Sequence, residues 1–175
     1  MHHPNEFFLG LSHFDLYILS SSSKIKRLRT FFYEESIIES RGKEISTYIN
    51  KKKVKFFDHS YNASPYSLNE QILIFNERNI NQKVYILGSM RELGQYSDFF
   101  HLQIIQLAKK LDLKKIIFIG EEFYKFRQSS TKFNFYKNYA YAVKYLNKEI
   151  DNVKNIFVMG SRYYQLDRII KAYVG

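Results

Sequence analysis

Three short apolar runs each stop at a glycine, and this punctuation constrains the fold more than any other feature of the chain. They are Lys83 to Leu87 before Gly88, Ile116 to Ile119 before Gly120, and Ile156 to Met159 before Gly160. Each reads as a buried strand, too short for a helix and bounded by a residue that frees the backbone to turn. Between and after them lie segments with apolar residues every three or four positions, the spacing of one helical face. These are Leu68, Ile72 and Phe75; Phe100, Ile104, Leu107 or Ala108, and Leu111; Tyr139, Val143 and Leu146; and Leu166, Ile169, Ile170 and Tyr173. A short helix from Glu121 to Arg127 and a brief strand at Phe133 to Phe135 complete the alternation. Strands separated by helices form parallel βαβ units with right-handed crossovers. The expected architecture is α/β, an open, mostly parallel Rossmann-like sheet with helices on both faces, over residues 44–175.

The sheet should begin with a hairpin. Ile45, Thr47 and Ile49 alternate with polar residues, Asn50-Lys51-Lys52 supplies a turn, and Val54 to Phe57 forms the return strand. That strand leads into Asp58-His59-Ser60-Tyr61-Asn62-Ala63-Ser64-Pro65-Tyr66-Ser67, an acid, a polar loop and a proline-opened helix. Proline suits the first helical turn because its missing N–H would be unpaired there anyway. Ser64 is the natural N-cap, its hydroxyl accepting from a first-turn N–H. A helix start of this kind carries free N–H groups and partial positive charge, suited to phosphate or carboxylate.

In an open parallel sheet, ligands bind beyond the carboxyl ends of the strands. Four loops belong there: 58–64, 88–94, 120–122 and 160–162. The second joins two glycines to the charged pair Arg91 and Glu92, and the last sets a glycine, a hydroxyl and a guanidinium at the start of a helix, a geometry suited to anions. Each loop also has a purely structural explanation. Asp58 can end a strand, Asn62 can hold a turn, and Arg162 can pair with Asp167 or Glu92. Several chemistries are excluded by what the sequence lacks: a Gly-Lys-Ser/Thr phosphate loop, a GxGxxG after a strand, and a GxSxG elbow. The five histidines show no zinc-ligand spacing, and zero cysteines leave no thiolate metal site or disulfide framework.

Composition bears on partners. The formal charge of +10 invites nucleic acid, but the lysines are spread along the chain. The abundance of Lys, Ile, Asn, Phe and Tyr is what an AT-rich coding bias favours. A solvated lysine surface is therefore the preferred reading, with nucleic acid disfavoured as a partner and a basic nucleic-acid-binding α/β domain kept as a further alternative. No run has the length of a membrane span and no secretory signal precedes a cleavage site, so a cytoplasmic protein is expected. Before the sheet, residues 5–18 and 24–32 read as two small helices separated by Ser20 to Ser23.

Taken together, the motifs resemble the C-terminal domain of the Mur ligases, in the branch that adds D-Ala-D-Ala to UDP-N-acetylmuramoyl-tripeptide. Asp58 to Ser67 resembles that family's Asp-(acid)-Ser-Tyr-Asn-Ala-Asn/Ser-Pro-x-Ser signature. Gly88-Ser89-Met90-Arg91-Glu92-Leu93-Gly94, with His101 after it, is similar to its Gly-Asp-Met-x-Glu-Leu-Gly…His segment. Met159-Gly160-Ser161-Arg162 is similar to its Lys-Gly-Ser-Arg, and Ser40-Arg41-Gly42 to its Gly-Arg-Gly hinge. The resemblance implies residues 1–43 as the helical tail of a central ATPase domain plus hinge, and 44–175 as the C-terminal domain. It implies ATP and Mg²⁺ as cofactors, an acyl phosphate attacked by the dipeptide amine, and peptidoglycan synthesis as the setting. Arg41, Asp58 and Asn5 would contact the nucleotide. Tyr61, Asn62, Ser64, Ser161 and Arg162 would face substrate, and Glu92 and His101 would support the loops.

Four positions depart from that pattern: Ser40 for glycine, His59 for an acid, Ser89 for an acid and Met159 for lysine. With the phosphate loop, the metal ligands and the UDP-sugar-binding domain expected before Met1, the reading is a truncated or split ligase. It would be inactive without an N-terminal ligase fragment as partner. The alternative is a non-catalytic, degenerate binding module.

Overall fold

The computed structural model describes residues 42–174. The two expected helices at 5–18 and 24–32, and the expected nucleotide contacts Asn5 and Arg41, lie outside the described residues. The domain is a six-stranded sheet in the order β1-β2-β6-β3-β4-β5. Its strands are β1 (Lys43–Ile49), β2 (Lys52–His59), β3 (Lys83–Gly88), β4 (Ile116–Ile119), β5 (Asn134–Tyr136) and β6 (Asn155–Met159). Among the described residues, only the β1–β2 pair is antiparallel. The helices are α1 (Pro65–Glu77), α2 (Ser97–Lys110), α3 (Glu121–Tyr124), α4 (Ala140–Glu149) and α5 (Asp167–Lys171). The α/β class, the mostly parallel sheet and the helices on both faces are as the sequence predicts.

Several boundaries differ; β5, for one, runs over Asn134–Tyr136 and not Phe133 to Phe135. The sheet starts at Lys43, one residue ahead of the expected domain start. β2 runs on through Asp58 and His59, because both pair with β6, opposite Val158 and Met159. The helix expected from Glu121 to Arg127 ends at Tyr124, and a separate 3₁₀ turn follows at Arg127–Ser129. The last helix is the five residues of α5, preceded by a 3₁₀ turn at Arg162–Tyr164. The Gly160-Ser161-Arg162 stretch therefore opens a turn and not a helix with a usable N-terminus.

The hairpin closes through Asn50 and Lys51, both at positive φ (47° and 66°), with Ile49 opposite Lys52. Two left-handed residues give a turn whose twist matches the strands. Asn tolerates that conformation, and so Asn-Lys substitutes here for the usual Asn-Gly. At α1 the capping box is complete. The Ser67 N–H donates to the Ser64 hydroxyl and the Ser64 N–H to the Ser67 hydroxyl.

The core lies on both faces of the sheet. Residues of β2, β3, β4 and β6 send alternate side chains to opposite sides, and both sides are apolar. One layer packs Phe57, Tyr85, Phe118 and Phe157 against α1, α2 and α3. Within it Phe75 sits among Phe57, Tyr85 and Phe157, at ring distances of 4.9, 5.2 and 5.1 Å. The other layer packs Phe56, Val84, Ile86, Ile156 and Val158 against Ala142 and Leu146 of α4 and Ile169 and Ile170 of α5.

That division fixes the functional edge. β2 and β3 lead into helices on the first face, whereas β6, lying between them, leads to α5 on the second. Neighbouring strands whose connections depart to opposite faces make a switch point, where α/β sheets place their ligand crevice.

Candidate functional site

The strand order brings the loops after β2, β6 and β3 side by side at the carboxyl edge. They are separated in sequence by roughly 30 and 70 residues, so only the sheet unites them. Gly88, at the end of β3, and Gly160, after β6, meet backbone to backbone under Leu166. A Cβ on Gly160 would lie 2.6 Å from the Gly88 Cα and 2.8 Å from Leu166 Cδ1. The glycines are thus needed for closeness and not only for punctuation.

Three loops are stitched together through buried polar groups. The Ser89 N–H donates to the Ile119 carbonyl (2.7 Å), and the Ser89 carbonyl accepts from the Ser161 N–H (3.3 Å). The Ser89 hydroxyl accepts from the Phe123 N–H (3.1 Å). His101, fully buried on α2, accepts the Met90 N–H at Nε2 (2.9 Å) and donates from Nδ1 to the Ser97 carbonyl (2.7 Å). Both ring nitrogens are then used by the neutral imidazole, and burial holds its pKa below the ordinary histidine value. The Met90 bond joins α2 to the 88–94 loop. Glu92 is on that loop, exposed, at φ +65°.

On the β2 side, Asp58 Oδ1 accepts from the Ser60 N–H (2.9 Å) and the Ser60 hydroxyl (2.7 Å), a turn that shapes the loop. Asn62 Oδ1 accepts from the Ala63 N–H at 2.9 Å. Ser64 is engaged in its capping box, and the Ser161 hydroxyl accepts from the Tyr163 N–H at 3.4 Å. The Arg162 guanidinium lies 5.7 Å over the Tyr61 ring, and Asp167 pairs with Lys171 instead. Tyr61 and Arg162 are both exposed at the rim.

The sequence assigned no role to the group beside them. Arg91 donates to Glu122 (2.9 Å) while its guanidinium lies 4.5 Å over the exposed Tyr163 ring. The Tyr164 hydroxyl donates to the other Glu122 oxygen. Burial raises the Glu122 pKa, but the Tyr164 and Arg91 bonds outweigh it and hold the carboxyl below its ordinary value. Burial, with the Glu122 bond, pushes Tyr164 up to about 12. Glu122 therefore ties the loops after β3, β4 and β6 into one rigid edge. Its position two residues after Gly120, in a loop already marked as ligand-facing, was the only sequence signal.

His59 packs against Phe157 (5.2 Å between rings), with its Cε1 3.3 Å from where a Cβ on Gly42 would stand. Burial, and secondarily Arg78, depress its pKa to about 4. The unfolded chain then takes up a proton near pH 6.5 that the folded domain refuses until about 4. Stability is present above 6.5 and lost as pH falls toward 4. We expect about 2 kcal/mol lost between pH 7 and 5 from His59, with His101 adding in the same direction. Urea unfolding at the two pH values checks this. His59→Leu should lose markedly less than the parent, and an unchanged loss would overturn the assignment.

Among the described residues no group of three His, Asp or Glu side chains is placed to hold a metal ion. The edge also has no phosphate loop. The residues present thus do not fit Mg²⁺ or a nucleotide triphosphate chain by themselves, and no step is routed through either.

No family model matches the chain. Among curated proteins it is similar to the UDP-N-acetylmuramoyl-tripeptide–D-alanyl-D-alanine ligase of Borreliella burgdorferi, 28% identical over 148 residues. That match covers 80% of this chain and 32% of the relative. The corresponding ligase of Rickettsia prowazekii is 24% identical over 141 residues, covering 79% of this chain and 30% of the relative. Its relatives are MurF ligases. The domain also superposes on a MurF crystal structure from Acinetobacter baumannii with a TM-score of 0.64 at 22% identity, over 77% of this chain and 30% of that one. Thermotoga maritima MurF, solved with ADP, gives 0.61 at 21%, over 77% of this chain and 30% of that one. The fold is that of the MurF C-terminal domain. The chain spans about a third of the length of the curated MurF relatives it matches.

Proposed function

We propose that this chain is the C-terminal part of a MurF-type ligase and that it works only with the remaining parts of such an enzyme. The whole enzyme would join D-Ala-D-Ala to UDP-N-acetylmuramoyl-tripeptide at the expense of ATP, with Mg²⁺ on the phosphates. The observation that carries the reading is the strand order. β2, β6 and β3 are neighbours, so the three loops that resemble MurF motifs form one edge.

In this reading the edge is one wall of the ligase cleft. Arg162, stacked on Tyr61, supplies positive charge for a carboxylate or phosphate. Asn62 lies on the loop between that pair and α1. Ser64 and Ser161 act by fixing the α1 start and the 162–164 turn. By the resemblance, Asp58, Asn5 and Arg41 would contact the nucleotide in the whole enzyme, and Glu92 and His101 would support the loops of the edge. The setting is cytoplasmic, where UDP-linked precursors and ATP are available, and no described helix is long and apolar enough to cross a membrane.

A second reading has a specific observation behind it. The departures at 59, 89 and 159 all turn inward: His59 packs on Phe157, Ser89 bonds the Phe123 N–H, and Met159 is 3% exposed. Charge expected from the resemblance has been replaced by packing, which favours a non-catalytic module that keeps the fold.

One assay separates them. The full chain is mixed with the separately expressed N-terminal two-thirds of the Borreliella burgdorferi relative, and ATP-dependent amide formation is followed by mass. Turnover is expected in the mixture and not with the chain alone. Turnover by the chain alone would overturn the dependence on a partner. A silent mixture, when the relative's own C-terminal part restores activity, would favour the binding module.

A further inference from the structure

We propose a single-stranded nucleic-acid contact at the β5 corner of the sheet, separate from the Tyr61–Arg162 rim and independent of the ligase reading. The lysine spread argued against nucleic acid along the sequence, but the fold concentrates one part of it. The first 41 residues carry five acidic and five basic side chains, so the whole positive excess belongs to residues 42–175. Within that stretch, residues 123–148 contain six Lys or Arg, nine aromatic residues and no Asp or Glu.

The structure interleaves these rings and cations. Tyr136, ending β5, stacks on Tyr141 of α4 at 5.0 Å and 7°, nearly parallel. Lys144 lies 5.9 Å over the Tyr141 ring. Tyr124, ending α3, has Arg127 at 4.7 Å and Lys137 at 5.2 Å over its ring. Arg168 lies 5.8 Å over Tyr139 and donates to its hydroxyl at 3.2 Å. Tyr124 packs on one core layer and Tyr136 and Tyr139 on the other, so the strip wraps the free edge of β5. Three of the cations in 123–148 are neutralised: Lys125 by Asp98, Lys132 by Asp112 and Lys137 by Glu121. Arg127, Lys144 and Arg168 have no carboxylate within ion-pair distance among the described residues.

Aromatic faces alternating with unneutralised cations are what a flexible strand of stacked bases and phosphates requires. An anionic membrane fits less well. Tyr141 is the only exposed large apolar side chain in 123–148, and no aliphatic wedge stands beside it.

The test is fluorescence anisotropy of a labelled oligouridylate with the full chain. Binding is expected at about 50 mM salt, weakening about tenfold or more by about 200 mM. Tyr141→Ala should weaken it at least fivefold, with Tyr141→Phe close to the parent. Arg127→Ala combined with Lys144→Ala should weaken it further. Lys52→Glu with Lys53→Glu, at the turn of the β1–β2 hairpin, should leave it within about twofold of the parent if local placement rather than net charge is responsible. All variants are exposed, and circular dichroism confirms folding. No binding at low salt, equal binding by Tyr141→Ala, a loss in the Lys52/Lys53 variant as large as that of Tyr141→Ala, or preferential sedimentation with phosphatidylserine vesicles would each overturn the proposal. None of these outcomes bears on ligase turnover.

Discussion

Gly160→Ala is expected to cost about 3 kcal/mol of folding stability, near the upper end for overpacking a closed site. The new methyl would stand 2.6 Å from the Gly88 Cα and 2.9 Å from the Gly88 nitrogen. Both are backbone atoms of a central strand, held by pairing on either side. Neither can rotate away as a side-chain tip can, so β3 and β6 must part at their carboxyl ends. The melting temperature should fall by roughly 10 °C for a domain of this size. Gly94→Ala is the matching control. Its added Cβ meets nothing within 4 Å, and its φ of +52° costs only the left-handed strain, about 1 kcal/mol. Gly160 is not itself at positive φ, so a loss no larger than that of Gly94→Ala would show that the close approach costs little. The substitution should also displace Ser161 and Arg162, because they follow directly on the strained residue.

Phe157→Ala is expected to cost about 3–5 kcal/mol. The ring is 1% exposed at the centre of the sheet, stacked on Phe75 and tilted against Tyr85 and His59. Its neighbours belong to α1, β3 and β2, three elements that cannot all collapse into one void. Such a loss is comparable to the total stability of many domains, so denaturant unfolding at low temperature is the measurement. A second effect separates this variant from a generic cavity. With Phe157 gone, water reaches His59 and its pKa rises toward the unfolded value. The stability lost between pH 7 and 5 should then shrink in Phe157→Ala and persist in a cavity variant elsewhere, such as Leu146→Ala. Carboxylates held low by partners, Glu44 and Glu122 among them, lose their contribution only at lower pH and leave that window clear.

Sequence and structure diverge for physical reasons that particular residues show. Leu87 and Met159 announced strand ends because a glycine followed each. Nothing local announced that those two glycines touch. Asn62 and Ser64 were marked as candidate contacts, and the fold shows each also closing a local turn or cap, which a hydrogen-bonding side chain beside a proline does readily. Arg162 was offered Asp167 or Glu92 as a partner. It took the Tyr61 ring, contributed by a loop distant in sequence and adjacent only because β6 inserts beside β2. Glu122 passed without a role, since its two partners come from loops about 30 and 40 residues away.

By itself the sequence determined the α/β class, the hairpin, the capped start of α1, and the set of loops at the carboxyl edge. Those follow from periodicity, side-chain caps and backbone freedom, all short-range properties. Only the tertiary structure decided that β6 lies between β2 and β3, that Gly88 and Gly160 must both lack a side chain, and that Glu122 locks three loops. It also decided which of many lysines and tyrosines meet at the β5 corner. Strand order depends on which apolar faces can be buried together across long connections, and no window of neighbouring residues contains that information.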